Sequence, residues 1–308
     1  MRSPSSNVRR AQPLLGTFVE VSARGAPARL GDAIDRAFGA IARIHALMSF
    51  HEAGSDVARL NRCAHQGPVG VDPHTWSVLA AAERIARASE GAFDITMAPA
   101  LVKFGFLPPG LDPPPCPRPR GFEAIELLPR GRVRFAEPTW IDLGGIAKGY
   151  AVDVACAALE QAGISDYLVN AGGDLRVGAA AELVHVRHPA RPEFALPLGS
   201  FADAALATSA AYFAGRPGAT GDVHPIIAPA RGAPARYHGS ISVSAPSCTE
   251  ADALTKVVAV LGAAAAPVLG RFAAEAWLLS MAGAWQRLSG ETPGVLAREA
   301  GARAATCR

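Results

Sequence analysis

The sequence lacks the features of several large classes of protein. Its five cysteines are odd in number and form no Cys-X-X-Cys pair, which argues against a disulfide framework and a zinc site. No Lys/Arg run appears, and a formal net charge of +3 is too small and scattered to indicate a nucleic-acid partner. No apolar run could span a bilayer, and the start, MRSPSSNVRRAQPLLG, lacks the apolar stretch of a signal peptide. We therefore expect a soluble, cytoplasmic protein with no transmembrane segment.

The residue patterns predict a mixture of helices and strands. With 308 residues, half of them hydrophobic, the chain can bury a large core as one big domain or two closely joined ones. The predicted strands are 14–23, 132–135, 166–170, 182–187 and 239–245, and the predicted helices are 29–50, 77–91 and 250–261. The proline-rich stretch 106–121 is predicted to be a loop or connector.

The stretch IDLGGIAKGYAVD, residues 141–153, is typical of a strand, a tight turn and a helix. It places Asp142 at the end of the strand and Lys148 in the first turn of the helix. A lysine there is mildly unfavourable because the helix dipole is already positive at that end. We therefore expect a negative partner for Lys148, and the spacing suits an anionic ligand bound by backbone N–H groups.

The glycine-rich turns match no known phosphate-binding fingerprint. LGGIAKGYA lacks the spacing of a P-loop, and NAGGDLRVG (170–178) is not the Gly-X-Gly-X-X-Gly of a dinucleotide-binding fold. Taken singly, each turn is also consistent with glycines that only supply a positive φ.

Seven ordered blocks carry a resemblance to a known family: LLGTFVEV, MSFHEAGSDVARLN, GAFDITMAPAL, IDLGGIAKGYAVD, LVNAGGDLRVG, ATSAAY and SCTEADALTKVVAVLG. Between about Leu14 and Gly262 the chain resembles the FAD:protein FMN transferases, the ApbE family. The resemblance implies an α+β fold related to the T-fold, with antiparallel or mixed sheets. It implies one transferase domain at 14–290, between a flexible N-terminus at 1–13 and a tail at 291–308. A periplasmic location is the alternative that the family brings.

The resemblance also implies an activity and a set of site residues. FMN would pass from FAD to a Ser/Thr hydroxyl in a Ser/Thr-Gly-Ala-Ser/Thr-like site of an acceptor flavoprotein, with AMP leaving and Mg²⁺ assisting. Matching positions assign the flavin and the dinucleotide to Leu15, His51, Ala92, Phe93, Asp94, Asp142, Lys148 and Ile227, the magnesium to Gly145, Asp252 and Thr255, and the general base to His224. From the residues alone, Asp94 could equally cap a turn, Asp252 could belong to a capping box with Thr249, and His51 could be an ordinary surface histidine.

Two departures from the family pattern separate two functions. The family block H-[IV]-[IV]-D-P-x-[ST]-G is HPIIAPARG here, so Pro225 takes the histidine position and His224 lies one residue early. The threonine of the family pattern D-x-x-x-T is replaced by Lys256, which either pairs with Asp252 or points to solvent while Thr255 coordinates the metal. The chain is then either an active transferase or a weakened paralogue that binds flavin or slowly hydrolyses FAD. A nucleotide-binding module unrelated to flavin is a third reading.

Overall fold

An eight-stranded antiparallel sheet forms the centre of the computed structural model, which describes residues 6–109, 120–210, 216–218 and 221–290. The helices are α1 Pro27–Met48, α2 Asp56–Cys63, α3 Pro73–Ala88, α4 Ala98–Lys103, α5 Ala147–Gln161, α6 Cys248–Leu261 and α7 Ala266–Arg271. The strands are β1 Ser6–Leu14, β2 Thr17–Gly25, β3 Val69–Gly70, β4 Ile125–Leu128, β5 Arg132–Phe135, β6 Asp166–Ala171, β7 Asp174–Val177, β8 Glu182–His188, β9 Arg191–Phe201, β10 Ala204–Ala210, β11 Arg216–Gly218, β12 Gly221–Val223, β13 Ile227–Ala228, β14 Ala233–Pro234, β15 Ser240–Ala245, β16 Glu275–Leu279 and β17 Trp285–Ser289.

The large sheet has the strand order β1-β2-β6-β7-β10-β15-β16-β17, so strands from the start and the end of the chain meet in one layer. Helices α1, α5 and α6 pack on one face and enclose the main core. Hairpin β8–β9 contributes to a smaller cluster, formed by Leu175, Val177, Val184 and Leu206. The predicted α+β class is confirmed, because helices and antiparallel strands occur together rather than in alternating βαβ units.

The first hairpin differs from the prediction at the N-terminus. Residues 6–13, expected to be flexible, belong to β1, which pairs with β2 along its whole length. The predicted strand at 14–23 is interrupted at Leu15 and Gly16, whose φ angles are 55° and 70°. A positive φ at both central residues is what a type I′ hairpin turn requires, and β2 therefore begins only at Thr17.

The predicted helices form, with small differences at their ends. Helix α1 buries Ile34, Phe38, Ile41 and Met48, as the 3.6-residue spacing indicates. Helix α3 begins at Pro73, earlier than predicted, because the Asp72 side chain accepts a hydrogen bond from the backbone N–H of His74.

Helix α6 begins two residues before its predicted start. The Ser247 side chain caps it by accepting a hydrogen bond from the Glu250 N–H. A capping box of Thr249 and Asp252 is therefore wrong as an account of Asp252.

The residues before α5 do not form the predicted strand. The side-chain amide of Asn61 instead accepts from the Ile141 N–H at 2.8 Å and donates to the Ile141 carbonyl at 3.0 Å. The next N–H, that of Asp142, donates to the Ile95 carbonyl at 2.9 Å. This segment thus obtains its hydrogen bonds from α2 and from the turn before α4, which fixes Asp142 where a strand would have done.

Two expectations concern segments that lie partly or wholly outside the described residues. Residues 110–119 of the connector and the whole tail at 291–308 lie outside them.

Among the described residues, one helical run, Cys248–Arg271, is long and apolar enough to cross a membrane by length and composition. Half of its most apolar window is buried inside the protein, as in the core helix of many folds.

Candidate functional site

Two adjoining cavities lie where α5 meets the sheet and the loops on either side of α4. The inner cavity has a volume of about 350 Å³ and the outer cavity about 410 Å³. Four residues line both of them: Leu107, Asp142, Gly144 and Lys148. The two cavities therefore form one cleft with two lobes, joined at the turn before α5.

The cleft brings together residues predicted from distant parts of the sequence. Leu15 and His51 line the outer cavity, Ala92, Phe93, Asp94, Gly145 and Ile227 line the inner cavity, and Asp142 and Lys148 line both. Asp252 and Thr255, two of the predicted metal ligands, are completely buried and lie outside the lining residues.

A close contact between α5 and α6 builds the floor of the inner cavity. Gly149 makes the contact possible, since a Cβ at this position would lie 2.1 Å from the carbonyl oxygen of Cys248. The Gly149 N–H donates to Oδ2 of Asp252 at 3.1 Å. Asp153, one turn further along α5, accepts from the backbone N–H groups of Cys248 and Thr249, both at 2.9 Å. These bonds hold the first turn of α6 against α5.

Four charged side chains meet at this floor. The Lys148 ammonium pairs with the Asp174 carboxylate and lies 3.5 Å from Oδ2 of Asp252. The Lys256 ammonium pairs with Oδ1 of Asp252 and also donates to the Asp252 carbonyl oxygen at 3.0 Å. Of the two outcomes predicted for Lys256, the structure thus has the ion pair. The expected negative partner of Lys148 is present within the chain itself.

The pKa values at this floor follow from burial and pairing. Burial alone would lower the pKa of the Lys148 ammonium, but Asp174 and Asp252 outweigh it and raise that pKa above its ordinary value. Burial would raise the pKa of the Asp252 carboxyl, but Lys148 and Lys256 outweigh it and hold that pKa below its usual range. Asp252 is therefore ionised and Lys148 is charged. Burial and the neighbouring Asp252 raise the pKa of the Asp174 carboxyl, against Lys148 and Lys256, which favour its charged form.

This arrangement does not fit a magnesium ion between the predicted ligands. Oδ1 of Asp252 is paired with Lys256, and Oδ2 accepts from Gly149. The Thr255 hydroxyl donates to the Asp252 carbonyl oxygen at 2.7 Å and lies 2.7 Å from the Ser209 hydroxyl. A Cβ on Gly145 would lie 3.6 Å from Cε of Lys256. The lysine side chain therefore lies between Gly145 and Asp252, two of the predicted metal ligands.

Among the described residues, no group of three or more His, Cys, Asp or Glu side chains is placed to hold a metal ion. The oxygen-rich set that magnesium prefers is therefore not assembled from carboxylates at the floor.

Two further carboxylates line the inner cavity. Asp94 caps the short turn at Ile95–Met97 by accepting from the Thr96 N–H at 2.8 Å, and it also accepts from the Phe122 N–H at 3.1 Å. Asp142 accepts from the Gly144 N–H at 3.1 Å. Burial raises the pKa of both carboxyls, against the hydrogen bonds that favour the charged form. The turn-cap reading of Asp94 is thus correct, and the same side chain also faces the cavity.

The outer cavity is built from turns. Leu15 holds its left-handed backbone with its N–H donating to Nδ1 of His45 in α1 at 3.1 Å. His51 is exposed, and its N–H donates to the Ser49 hydroxyl at 3.2 Å. This end of the cleft therefore offers a partly buried apolar side chain and a solvent-exposed imidazole to a ligand.

His224 lies behind the wall of the inner cavity. Its ring packs edge-on against Tyr237 with 4.4 Å between centroids, and its Nδ1 is buried without a hydrogen-bond partner. Burial lowers its pKa, so the imidazole is neutral near pH 7. Tyr237 and Pro225 line the cavity, whereas His224 does not.

Sequence reasoning missed Asp174 and Tyr237. Asp174 follows the two glycines of NAGGDLRVG, a block in which no site residue was predicted. The β6–β7 turn returns the chain so that Asp174 faces Lys148. A carboxylate directly after a tight turn was the available signal. Tyr237 has no comparable signal, because it lies in an irregular segment.

The geometry can be compared with known proteins. A model of the ApbE family matches residues 15–276. Among curated relatives, a Treponema pallidum FAD:protein FMN transferase is 30% identical over 293 residues, covering 82% of this chain and 78% of that protein. One from Haemophilus influenzae is 28% identical over 244 residues, covering 71% and 69%. One from Vibrio cholerae is 27% identical over 188 residues, covering 56% of this chain and only 55% of that protein.

Solved structures have the same architecture. The ApbE protein from Thermotoga maritima aligns with a TM-score of 0.80 at 25% identity, covering 93% of this chain and 97% of that one. The flavin transferase ApbE from Vibrio cholerae aligns with a TM-score of 0.79 at 23% identity, covering 94% and 98%. The predicted ApbE-type fold is therefore confirmed.

Proposed function

Because this chain belongs to the ApbE family, we propose that it transfers FMN from FAD to a serine or threonine hydroxyl of an acceptor flavoprotein and releases AMP. The observation that carries the proposal is the two-lobed cleft. Its walls contain all eight residues that the sequence analysis predicted for the flavin and the dinucleotide. A dinucleotide has two ring systems joined by a pyrophosphate, and a cleft of two lobes joined beside Lys148 suits that shape. The expected cytoplasmic location stays a prediction.

The reaction is a displacement at the FMN phosphorus. The acceptor hydroxyl oxygen forms a bond to that phosphorus, the anhydride bond to AMP breaks, and the hydroxyl proton passes to a base. Negative charge develops on the leaving phosphate. The ammonium groups of Lys148 and Lys256 line the inner cavity and stabilise that charge. Each is held by Asp252, so neither needs to reorganise during the reaction.

His224 is the proposed base, supported by its chemistry and its neighbours. Its pKa is lowered by burial, so it is neutral and able to accept a proton near pH 7. Its chain neighbour Pro225 and its ring partner Tyr237 both line the inner cavity. The hydroxyl therefore has to approach at this wall of the cleft.

One observation favours a second candidate, the slow hydrolysis of FAD to FMN and AMP. His224 packs against Tyr237 and is not among the residues that line the inner cavity, so an acceptor hydroxyl there would have no direct contact with the base. Water would then take the acceptor's place at the phosphorus, with the same bond breaking.

Purified protein incubated with FAD and an acceptor carrying a Ser/Thr-Gly-Ala-Ser/Thr site distinguishes the candidates. We expect AMP release together with an acceptor heavier by the mass of bound FMN. AMP release with free FMN and an unmodified acceptor would instead support hydrolysis. Lys148→Met, which removes an ammonium at the joint of the two lobes, should abolish FAD binding and both reactions. If FAD does not bind the parent protein, the proposal is wrong.

A further inference from the structure

We propose that the Lys256 ammonium is the resident cation of this site, and that the site binds the FAD pyrophosphate without a divalent metal ion. The inference rests on the proposed function, since it concerns how the same dinucleotide is held. On this proposal, lysine side chains and no metal ion supply the positive charge that faces the phosphates.

The position of Lys256 is the first step of the argument. Its ammonium pairs with Oδ1 of Asp252 and lies 3.0 Å from the carbonyl oxygen of the same residue. Its methylene chain runs beside Gly145 at the wall of the inner cavity. The side chain is 16% exposed and lines the cavity, so it can contact both Asp252 and a phosphate bound there.

The oxygen atoms near Lys256 are the second step. Magnesium requires about six oxygen ligands at roughly 2.0–2.1 Å. The ammonium already pairs with Oδ1 of Asp252, so a magnesium ion on the same oxygen would lie directly against a like charge. The Thr255 hydroxyl points to the Asp252 carbonyl oxygen and is completely buried, so it offers nothing to the cavity.

The charge of the floor is the third step. Two ammonium groups, Lys148 and Lys256, face two carboxylates, Asp174 and Asp252, so their formal charges cancel. A threonine at position 256 would leave these side chains with a net charge of −1 and add a hydroxyl oxygen. That change produces the conditions under which a divalent cation binds.

The scarcity of lysine provides a matched control. The chain contains three lysines, Lys103, Lys148 and Lys256, and two of them meet at Asp252. Lys103 is exposed at the end of α4, outside the cleft-lining residues. Lys103→Thr therefore changes the same residue type with no expected effect on FAD or on metal.

FAD affinity in EDTA and in Mg²⁺ tests the proposal on the full chain. The parent and Lys103→Thr should bind FAD equally in both solutions. In EDTA, Lys256→Thr should lose about tenfold to a hundredfold in affinity, the usual value of a hydrogen bond between charged groups. Mg²⁺ should restore most of that loss. Lys256→Met, which keeps the methylene chain without charge or oxygen, should lose affinity with little restoration, and it replaces the threonine variant if that protein does not fold.

Metal binding gives a second readout that does not depend on transfer. With Mn²⁺ as the probe, electron paramagnetic resonance should detect no protein-bound ion in the parent with FAD, beyond that held by FAD alone, and one bound ion in Lys256→Thr. FAD binding by the parent that requires Mg²⁺, or a bound Mn²⁺ in the parent, would overturn the inference while leaving the proposed function intact. A parent that binds no FAD in either solution would overturn both.

Discussion

The two lobes of the cleft are built in different ways. The inner lobe rests on two helices in close contact, with Asp252 completely buried between two ammonium groups. The outer lobe is formed by a hairpin turn at Leu15 and the exposed His51 after α1. The charged side chains at the floor of the inner lobe pair with one another before any ligand arrives, whereas the outer lobe presents His51 and Glu52 to solvent. Changes to the inner lobe should therefore affect the whole fold, and changes to the outer lobe mainly the ligand.

The largest effect is expected from Gly149→Ala. The added Cβ would meet the Cys248 carbonyl at 2.1 Å, so α5 and α6 must separate, with a loss of about 3 kcal/mol in the free energy of unfolding. Separation also moves Asp252 away from the Gly149 N–H, so FAD binding should be lost. Urea unfolding and an FAD titration measure the two effects.

Gly39→Ala is the control for that change. Gly39 lies within α1 with no atom within 4 Å of its added Cβ. Alanine is favoured over glycine in a helix by about 0.8–1.0 kcal/mol, so this variant should be more stable and bind FAD normally. A Gly149→Ala protein as stable as the parent would show that the helices tolerate separation, and the contrast between the lobes would fail.

A smaller effect of opposite sign is expected at the outer lobe from Leu15→Asn. Leucine in the left-handed region is unfavourable by roughly 1–2 kcal/mol, and asparagine tolerates it better. The variant should gain up to about 1 kcal/mol in the free energy of unfolding, less whatever the partly buried leucine contributes by packing, and bind FAD more weakly. Leu15→Ala removes the same apolar contact without easing the backbone, so it should weaken FAD binding with no gain in stability. Equal free energies of unfolding for the two variants would show that the left-handed backbone at Leu15 does not reduce stability.

The smallest effect is expected in the pH dependence of the free energy of unfolding, through the buried imidazole of His224. Burial lowers the pKa of folded His224 below its ordinary 6.5. As the pH falls below 6.5, the unfolded chain takes up a proton before the folded chain does, so the free energy of unfolding decreases; above 6.5 this contribution is constant. In His224→Phe the decrease below pH 6.5 should be shallower. Parallel curves for the two proteins, followed by thermal unfolding, would contradict a buried neutral imidazole.

The sequence predicted the outer elements of the site better than its floor. Helical periodicity and glycine-bounded apolar runs are local signals, and they predicted α1, α6 and several strands to within a few residues. The spacing of Lys256 from Asp252 also indicated their ion pair, because residues four apart share one helix face. The Asp174–Lys148 pair depends on the β6–β7 turn and on how α5 crosses the sheet, and no local pattern records that.

The segment before α5 shows the same limit. Trp140 and Ile141 have the composition of a strand, yet the backbone N–H and carbonyl of Ile141 bond to the Asn61 amide and not to a neighbouring strand. The side chain of Asn61, distant in sequence, thus makes the hydrogen bonds that a neighbouring strand would have made. Single-sequence patterns cannot anticipate such a substitution, because the polar partner comes from a helix.

The bond between Asn61 and Ile141 also has a consequence for the order of synthesis. It joins residues 80 positions apart, and the cleft needs Leu15 from the first hairpin as well as Lys256 from α6. A growing chain therefore cannot complete the cleft until α6 has emerged from the ribosome. Under the proposed function, FAD binds only the completed fold and shifts the folding equilibrium towards that state by mass action.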